Sequence, residues 1–400
     1  MIIFPPENTA VQADDRPQIA IISDEPTPYR NHVLVRIARE IPQVSLNSIF
    51  THPIPSMPWQ INLVESICPV IFPKRSLNNQ PLISVNSIPL FFEIRNYLLK
   101  HRVRLIVLLG YNNLTQFLLI HWAHSKGIPL LLTGDSNIFN DSRRGMLFRS
   151  VKQVYLRHIV RLVAGLMPMG TCGRAYYRLY TNHSKPTFLF PYEPDYSLLV
   201  GRDDLTKESF LTRHGLIPTR KRLLFSGRLV NVKRVDVLLD AFVRVAEQRP
   251  DWDLVIAGDG PLREELKLRA PSSVRNQIKW LGFLQFDDLA TCYLCCDALV
   301  LPSEREPWAL VINEAVAAGL PVVATEVSGA AVELVRHGVN GLLVPPGNVH
   351  ALANALIQIS EPERNQKFRA AAPAILEQWR ISADPVDGLR QALKYFNLIH

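Results

Sequence analysis

Apolar residues recur in short, nearly continuous runs, and between several of them lie longer stretches of helical period. This is the pattern of buried parallel strands alternating with helices. In the first half the runs fall at residues 18–22, 44–50, 103–109, 129–132 and 162–166, with predicted helices over 32–39 and 116–126. In the second half they fall at 222–226, 254–257, 299–301 and 341–345, with a helix opening near Val235, another inside 305–320, and helices from Ala351 to the end. The rhythm predicts an α/β chain of doubly wound sheets, in which ligands gather at the carboxyl ends of the strands. Residues 1–16 read as a loose leader, and 51–90 have no readable period. Residues 196–218 lose their periodicity and mark an expected boundary between a domain over 17–195 and another over 218–375.

Length supports that division, since 400 residues exceed one ordinary core. The formal net charge is +8, which admits nucleotide phosphates, nucleic acid or an acidic membrane face as partners. Nucleic acid is disfavoured: no aromatic and basic residues interleave as a stacking platform. No apolar run approaches the roughly 20 residues that span a bilayer, and the N-terminus lacks the regions of a signal peptide. The default expectation is cytoplasmic. From Arg143 to Arg161 the chain is both basic and hydrophobic, so this helix either rests on the inner face of a membrane, holds a phosphorylated acceptor, or lies two-sided on the domain's outside. Its charges scatter in helical projection. The five cysteines lack metal-ligand spacing and read as small apolar packing residues.

Candidate chemistry concentrates in residues 305–324, which read as loop, helix, turn and strand. Glu306 and Glu314 both fall near the helix N-terminus, where unpaired amides favour an anion. Phosphate oxygens suit those amides, and two carboxylates suit sugar hydroxyls. The pair together describes a nucleotide-diphosphate sugar. Upstream, Arg228 and Lys233 flank a turn beginning at Gly227, and two cations there converge on a diphosphate. The turn at Gly258-Asp259-Gly260 lets backbone approach a ligand.

These stretches resemble retaining glycosyltransferases of the GT-B fold, in the family 4 or group 1 class. That family reads Glu-Gly-Phe-Gly-Leu where this chain has Glu306-Pro307-Trp308-Ala309-Leu310, and Gly where this chain has Arg234. Pro307 has no N–H, so the cradling amides are expected from Trp308, Ala309, Leu310 and Val311. The resemblance implies two Rossmann-like domains facing a cleft, with the last helix, residues 385–400, returning to the first. It further implies sugar transfer to an acceptor hydroxyl with retention, in cell-envelope polysaccharide, lipopolysaccharide or glycolipid synthesis. Glu314 would hold the ribose, Glu306 the donor sugar, and Arg228 and Lys233 the leaving diphosphate, with no cofactor and no metal. Gly260 and Phe283 would flank the base. Partners implied are a nucleotide sugar and a carbohydrate or lipid-linked acceptor. The loop Pro26-Thr27-Pro28-Tyr29-Arg30 resembles one that faces the acceptor, where Arg30 meets a phosphate or carboxylate or is a surface arginine in a turn. Asp135, at a strand's carboxyl end, is an acceptor-side group or base, or an Asx turn or helix cap. The other classes are a scaffold that binds a nucleotide sugar without transferring it, and an epimerase or phosphorylase of the same fold.

Overall fold

Two six-stranded parallel sheets carry the chain. The computed structural model describes residues 2–3, 15–52, 57–72, 87–139, 146–181, 185–201 and 203–400, with the backbone alone at 2–3 and 146–149. One unit comprises Met1–Glu193 and Ala383–His400, the other Pro194–Ser382.

In the first unit the strands are β1 (Gln18–Ser23), β2 (Ser45–Phe50), β3 (Pro69–Ile71), β4 (Leu105–Leu109), β5 (Leu130–Gly134) and β6 (Gly165–Pro168), in the order β3-β2-β1-β4-β5-β6. Its helices are α1 (Pro28–Glu40), α2 (Ser87–Lys100), α3 (Leu114–Ser125), α4 (Met146–Leu162) and α5 (Thr171–Arg178). Alternate residues of each strand feed opposite faces. Ala20, Ile22, Ile106 and Leu108 join the core under α2, α3 and α4, whereas Ile19, Ile21, Leu105 and Val107 join α1 on the other side. Burial on both faces is why these strands read as continuous apolar runs instead of alternating ones.

The second unit opens with α6 (Asp204–Arg213) and repeats the plan with β7 (Lys221–Ser226), α7 (Val235–Gln248), β8 (Trp252–Ala257), α8 (Arg263–Arg269) and β9 (Ile278–Gly282). It continues through α9 (Phe286–Leu294), β10 (Ala298–Leu301), α10 (Leu310–Ala317), β11 (Val322–Thr325), α11 (Gly329–Leu334) and β12 (Gly341–Val344), and closes with α12 (Val349–Ile359) and α13 (Pro362–Ser382). Its sheet order is β9-β8-β7-β10-β11-β12. Each sheet therefore reverses direction once, between β1 and β4 and between β7 and β10. Such a reversal opens a crevice at the carboxyl ends of the strands. The final helix, α14 (Pro385–Tyr395), packs on α1 within the first unit.

Some expectations are corrected. Ile2–Ile3, placed in a loose leader, pair in parallel with Ile61–Asn62. The run at 162–166 divides: Leu162 ends α4 and the strand starts at Gly165, because α4 keeps burying its apolar face through Val160. Residues 196–218, which lose apolar periodicity, hold a short 3-10 helix at Tyr196–Leu199 and α6, capped by Asp203 accepting from the Thr206 amide at 2.6 Å. Arg143 and Arg144 lie outside the described residues.

Arg36 on α1 fastens the first unit where the chain leaves and re-enters it. Its guanidinium donates to Glu40 at 3.0 and 2.9 Å, to Glu193 at 2.6 Å and to Asp384 at 2.8 Å. Glu193 is the last residue before the chain crosses to the second unit, and Asp384, one residue after its return, caps α14. The Arg36 hydrogen bond holds the Glu40 carboxyl down at about 2. Replacing Arg36 removes the guanidinium that Glu193 and Asp384 share and leaves Arg39 to Glu40 and His32, 3.5 Å away, to Glu193. Arg36→Met is therefore expected to lower unfolding free energy by about 3 kcal/mol, measured as the shift in urea midpoint.

Candidate functional site

The crevice of the second sheet is bounded by the loops that follow β7 and β10. After β7 the chain turns at Gly227, passes Arg228, forms a short 3-10 helix at Asn231–Lys233, and enters α7 through Arg234. After β10 it runs through Pro302 to Glu306 and enters α10 through Ala309. The Glu304 amide donates to the Val232 carbonyl at 2.8 Å and stitches the two loops together. Lys233 Nζ then donates to Glu306 Oε2 at 2.5 Å, with both side chains only 13% exposed. Arg228 is exposed at the same turn.

Two glycines make this approach possible. Gly258 has φ +150°, and a Cβ there would stand 1.9 Å from the Gly227 carbonyl oxygen. At Gly260 a Cβ would stand 2.5 Å from the Leu229 carbonyl oxygen. The loop after β8 is thus pressed against the loop after β7, and no larger residue fits. Phe283 follows β9 at the same end of the sheet, half-buried.

Helix α10 starts at Leu310, so the amides of Leu310 and Val311 fall in its first turn, where a helix has no internal acceptors. Trp308 is buried, and its indole N–H donates to Asn313 Oδ1 at 3.1 Å, while Asn313 donates on to the Tyr196 hydroxyl at 3.2 Å. Ala309 is held at φ +81°. Arg234 likewise sits at φ +50°, and its guanidinium grips Asp236 through Nε and Nη2 at 3.0 and 2.9 Å. Both occupy positions where the resembled motifs carry glycine, and both keep the left-handed backbone that glycine adopts without strain.

Glu314 lies a turn further into α10, buried, and accepts from the Tyr293 hydroxyl at 2.7 Å. Burial pushes its carboxyl up to about 7, against the pull of that hydrogen bond.

In the first unit, the end of β1 and the start of α1 build a largely apolar cavity lined by Ser23, Tyr29, Arg30, Thr133, Phe190 and Tyr192, among others. The Tyr29 and Tyr192 ring centroids are 4.8 Å apart, and the Arg30 guanidinium lies 5.7 and 5.9 Å from them while donating to the Glu25 carbonyl at 2.7 Å. Burial raises the Asp24 carboxyl above the ordinary carboxylate range, against the pull of Arg30 and His52. Asp135 is exposed after β5, and it helps burial raise the Tyr177 and Tyr192 hydroxyls. The Asx turn here belongs to Asn137, which accepts from the Phe139 amide at 2.9 Å. Among the described residues, the buried hydroxyls of Thr133 and Tyr177 have no hydrogen-bond partner.

Residues 206–374 match the family model described as glycosyl transferases group 1. That match covers most of the second unit. An uncharacterized glycosyltransferase of Methanocaldococcus jannaschii is 38% identical over 148 residues, 37% of this chain and 37% of the relative. The chain spans under half the length of the curated relatives it matches. Among solved structures, Anabaena HepE in complex with UDP and glucose has a TM-score of 0.70 at 20% identity, covering 96% of this chain and 100% of that one. Thermosynechococcus elongatus sucrose-phosphate synthase reaches 0.75 at 20% identity, covering 96% and 99%. These likenesses show the fold, GT-B with two Rossmann-like domains.

In the second unit, sequence reasoning missed Tyr293 and Asn313. Tyr293 sits in a cysteine-rich helix that reads as packing, and Asn313 is hidden between apolar neighbours. In the first unit it missed Asp24 and the contact of Tyr192 with the Tyr29-Arg30 loop. Tyr192 directly follows Pro191 and stands two residues before Pro194, a spacing that marks a loop and not a contact.

Two outcomes follow from this geometry. Because Ala309 adopts a left-handed backbone, Ala309→Gly is expected to raise stability by about 0.5 to 1 kcal/mol, read from the urea midpoint. Glu314 binds its proton more tightly folded than unfolded, so its contribution is fully present below pH 4.5 and is lost as pH rises through about 7. Wild-type stability should fall by a few kcal/mol at most across that window, and Glu314→Gln should flatten that part of the profile in unfolding measured from pH 4 to 8.

Proposed function

We propose that this chain transfers a sugar from a nucleotide-diphosphate donor to an acceptor hydroxyl, with retention at the anomeric carbon. The observation that carries the reading is the Lys233–Glu306 pair, 2.5 Å apart, at the crevice where the strand order of the second sheet reverses. A lysine and a carboxylate held side by side match the two ends of such a donor: a phosphate that needs a cation, and a sugar whose hydroxyls need an acceptor.

On this reading the leaving diphosphate draws Lys233 away from Glu306 and is held by Arg228 and by the amides of Ala309, Leu310 and Val311. Trp308 positions that turn through Asn313. Negative charge grows on the diphosphate as the anomeric bond breaks, and cations and amides already aimed there lower the barrier without a metal ion. Glu306, released, accepts from the donor sugar's hydroxyls, and Glu314 accepts from the ribose. Gly227 opens the turn that presents those cations, and Gly260 and Phe283 flank the base. The attacking hydroxyl arrives on the leaving-group side and passes its proton to the departing phosphate, so no protein base is required.

The first unit supplies the acceptor site on this reading. Tyr29 and Arg30 line its cavity, and Asp135 stands at its edge. The unpartnered Thr133 and Tyr177 hydroxyls are suited to a hydroxyl-bearing acceptor, because a buried polar group without a partner costs free energy until one arrives. Such a chain would work in the cytoplasm on cell-envelope polysaccharide, lipopolysaccharide or glycolipid.

A thermal-shift screen against UDP-, GDP- and ADP-sugars identifies the donor, since only folded-state binding raises the melting temperature. With that donor, Lys233→Ala and Glu306→Ala are each expected to lower turnover by about a hundredfold or more; full turnover in either would overturn the assignment. Ribose hydroxyls favour ionised Glu314, so donor affinity should rise as pH increases toward 7 and level off above it, by calorimetric titration. A pH-independent affinity that Glu314→Gln leaves unchanged would contradict its role.

A further inference from the structure

Helices α2, α3 and α4 pack side by side over one face of the first sheet, and their buried sides share one apolar cluster with Ala20, Ile22, Ile106 and Leu108. Their opposite sides therefore look away from the sheet together. On α4 that side carries Val151 and Val154, 63% and 71% exposed, with Arg157, His158 and Arg161 also exposed. At about 100° per residue all five lie within roughly 60° of Val154, while Leu156, Ile159 and Val160 fill the buried side. On α2, Ile88, Phe92 and Leu99 are likewise exposed, and the Arg95 guanidinium lies 4.8 Å over the Phe92 ring. A helix facing only water puts polar residues at such positions.

The charge of this layer is one-sided. Residues 87–126 hold five lysines and arginines and a single acid, Glu93, and residues 146–162 hold four and none. Their net charge of +8 equals that of the whole chain. Of the charges that scatter the α4 projection, Lys152 is half-buried off the exposed stripe, 5.3 Å from the Tyr176 ring. What remains outside is apolar and basic with one acid at its flank.

We propose that this three-helix layer docks on an anionic lipid bilayer and lies flat in its interface. Val151, Val154, Phe92 and Leu99 enter the headgroup boundary, and Arg95, Arg157 and Arg161 meet lipid phosphates. Among the described residues no helix is long and apolar enough to cross a membrane, so the contact is peripheral. Single-stranded nucleic acid fits less well: the exposed aromatic on this face, Phe92, is already covered by Arg95, and no stacking platform is left. The docking does not depend on sugar transfer, and its test uses no donor, so either reading can fail without the other.

The test is sedimentation of the full chain with phosphatidylcholine vesicles, with and without about 30% phosphatidylglycerol, at about 0.05 and 0.5 M salt. Binding to the anionic vesicles at low salt is expected, at least about tenfold weaker to the neutral vesicles and at high salt. The Val151→Asp/Val154→Asp variant should bind about tenfold more weakly with an unchanged far-UV spectrum; should the aspartates disturb the helix, Val151→Ser/Val154→Ser gives the same comparison. Arg157→Glu/Arg161→Glu should weaken binding to the anionic vesicles alone. No sedimentation with anionic vesicles, or binding that all three variants retain in full, overturns the proposal. Tight binding of a single-stranded RNA homopolymer with no vesicle binding assigns the face to nucleic acid and also overturns it.

Discussion

One ion pair organises the second unit. Lys233 and Glu306 come from loops on opposite sides of the point where the sheet's strand order reverses, 73 positions apart in sequence. Helices leave the sheet in different directions there, so the crevice is a consequence of topology. What sequence adds is the chemistry at its mouth. A mostly buried lysine and glutamate hold each other in place because either alone would be a charge out of water. The pair is therefore both a structural tie between loops and a preset arrangement of opposite charges.

Backbone geometry around the pair is close to its steric limit. The approach of Gly258 to Gly227 leaves no room for a side chain, and Ala309 and Arg234 hold left-handed conformations at the entrances of α10 and α7. These positions set the direction in which each helix leaves its strand. Trp308, clamped by Asn313, and Glu314, buried under Tyr293, anchor the far side of α10. Side chains that look like core packing thus fix the helix that begins just after Glu306.

Much of this was legible in the chain. Most strands of both sheets follow from apolar runs that are buried on two faces, whereas the half-buried edge strands β3 and β9 show no such run. Gly227, Lys233 and Glu306 fall where the sequence reads strand ends and the loop before a helix. What escaped has a common cause: its partners lie far away in sequence. Arg36 reads as one more arginine on an amphipathic helix, but it binds carboxylates 157 and 348 positions away. Tyr293 serves Glu314 across 21 positions from a helix whose cysteines suggest packing alone. Tyr192 reaches the Tyr29-Arg30 loop from the far end of the unit. Local periodicity carries no trace of such pairings. The exposed valines of α4 escaped for another reason, since projection cannot tell a solvent face from a buried one until the neighbours of the helix are known.

On the proposed function, Lys233 and Glu306 hold different parts of one donor. Calorimetric titration of the bare nucleoside diphosphate and of its sugar conjugate, using the base that raises the melting temperature, separates the two. Lys233→Met is predicted to weaken both ligands by similar factors, and Glu306→Gln to weaken only the sugar conjugate. Loss of diphosphate affinity in Glu306→Gln equal to its loss of sugar-conjugate affinity, or unchanged affinities in Lys233→Met, would overturn that division of roles.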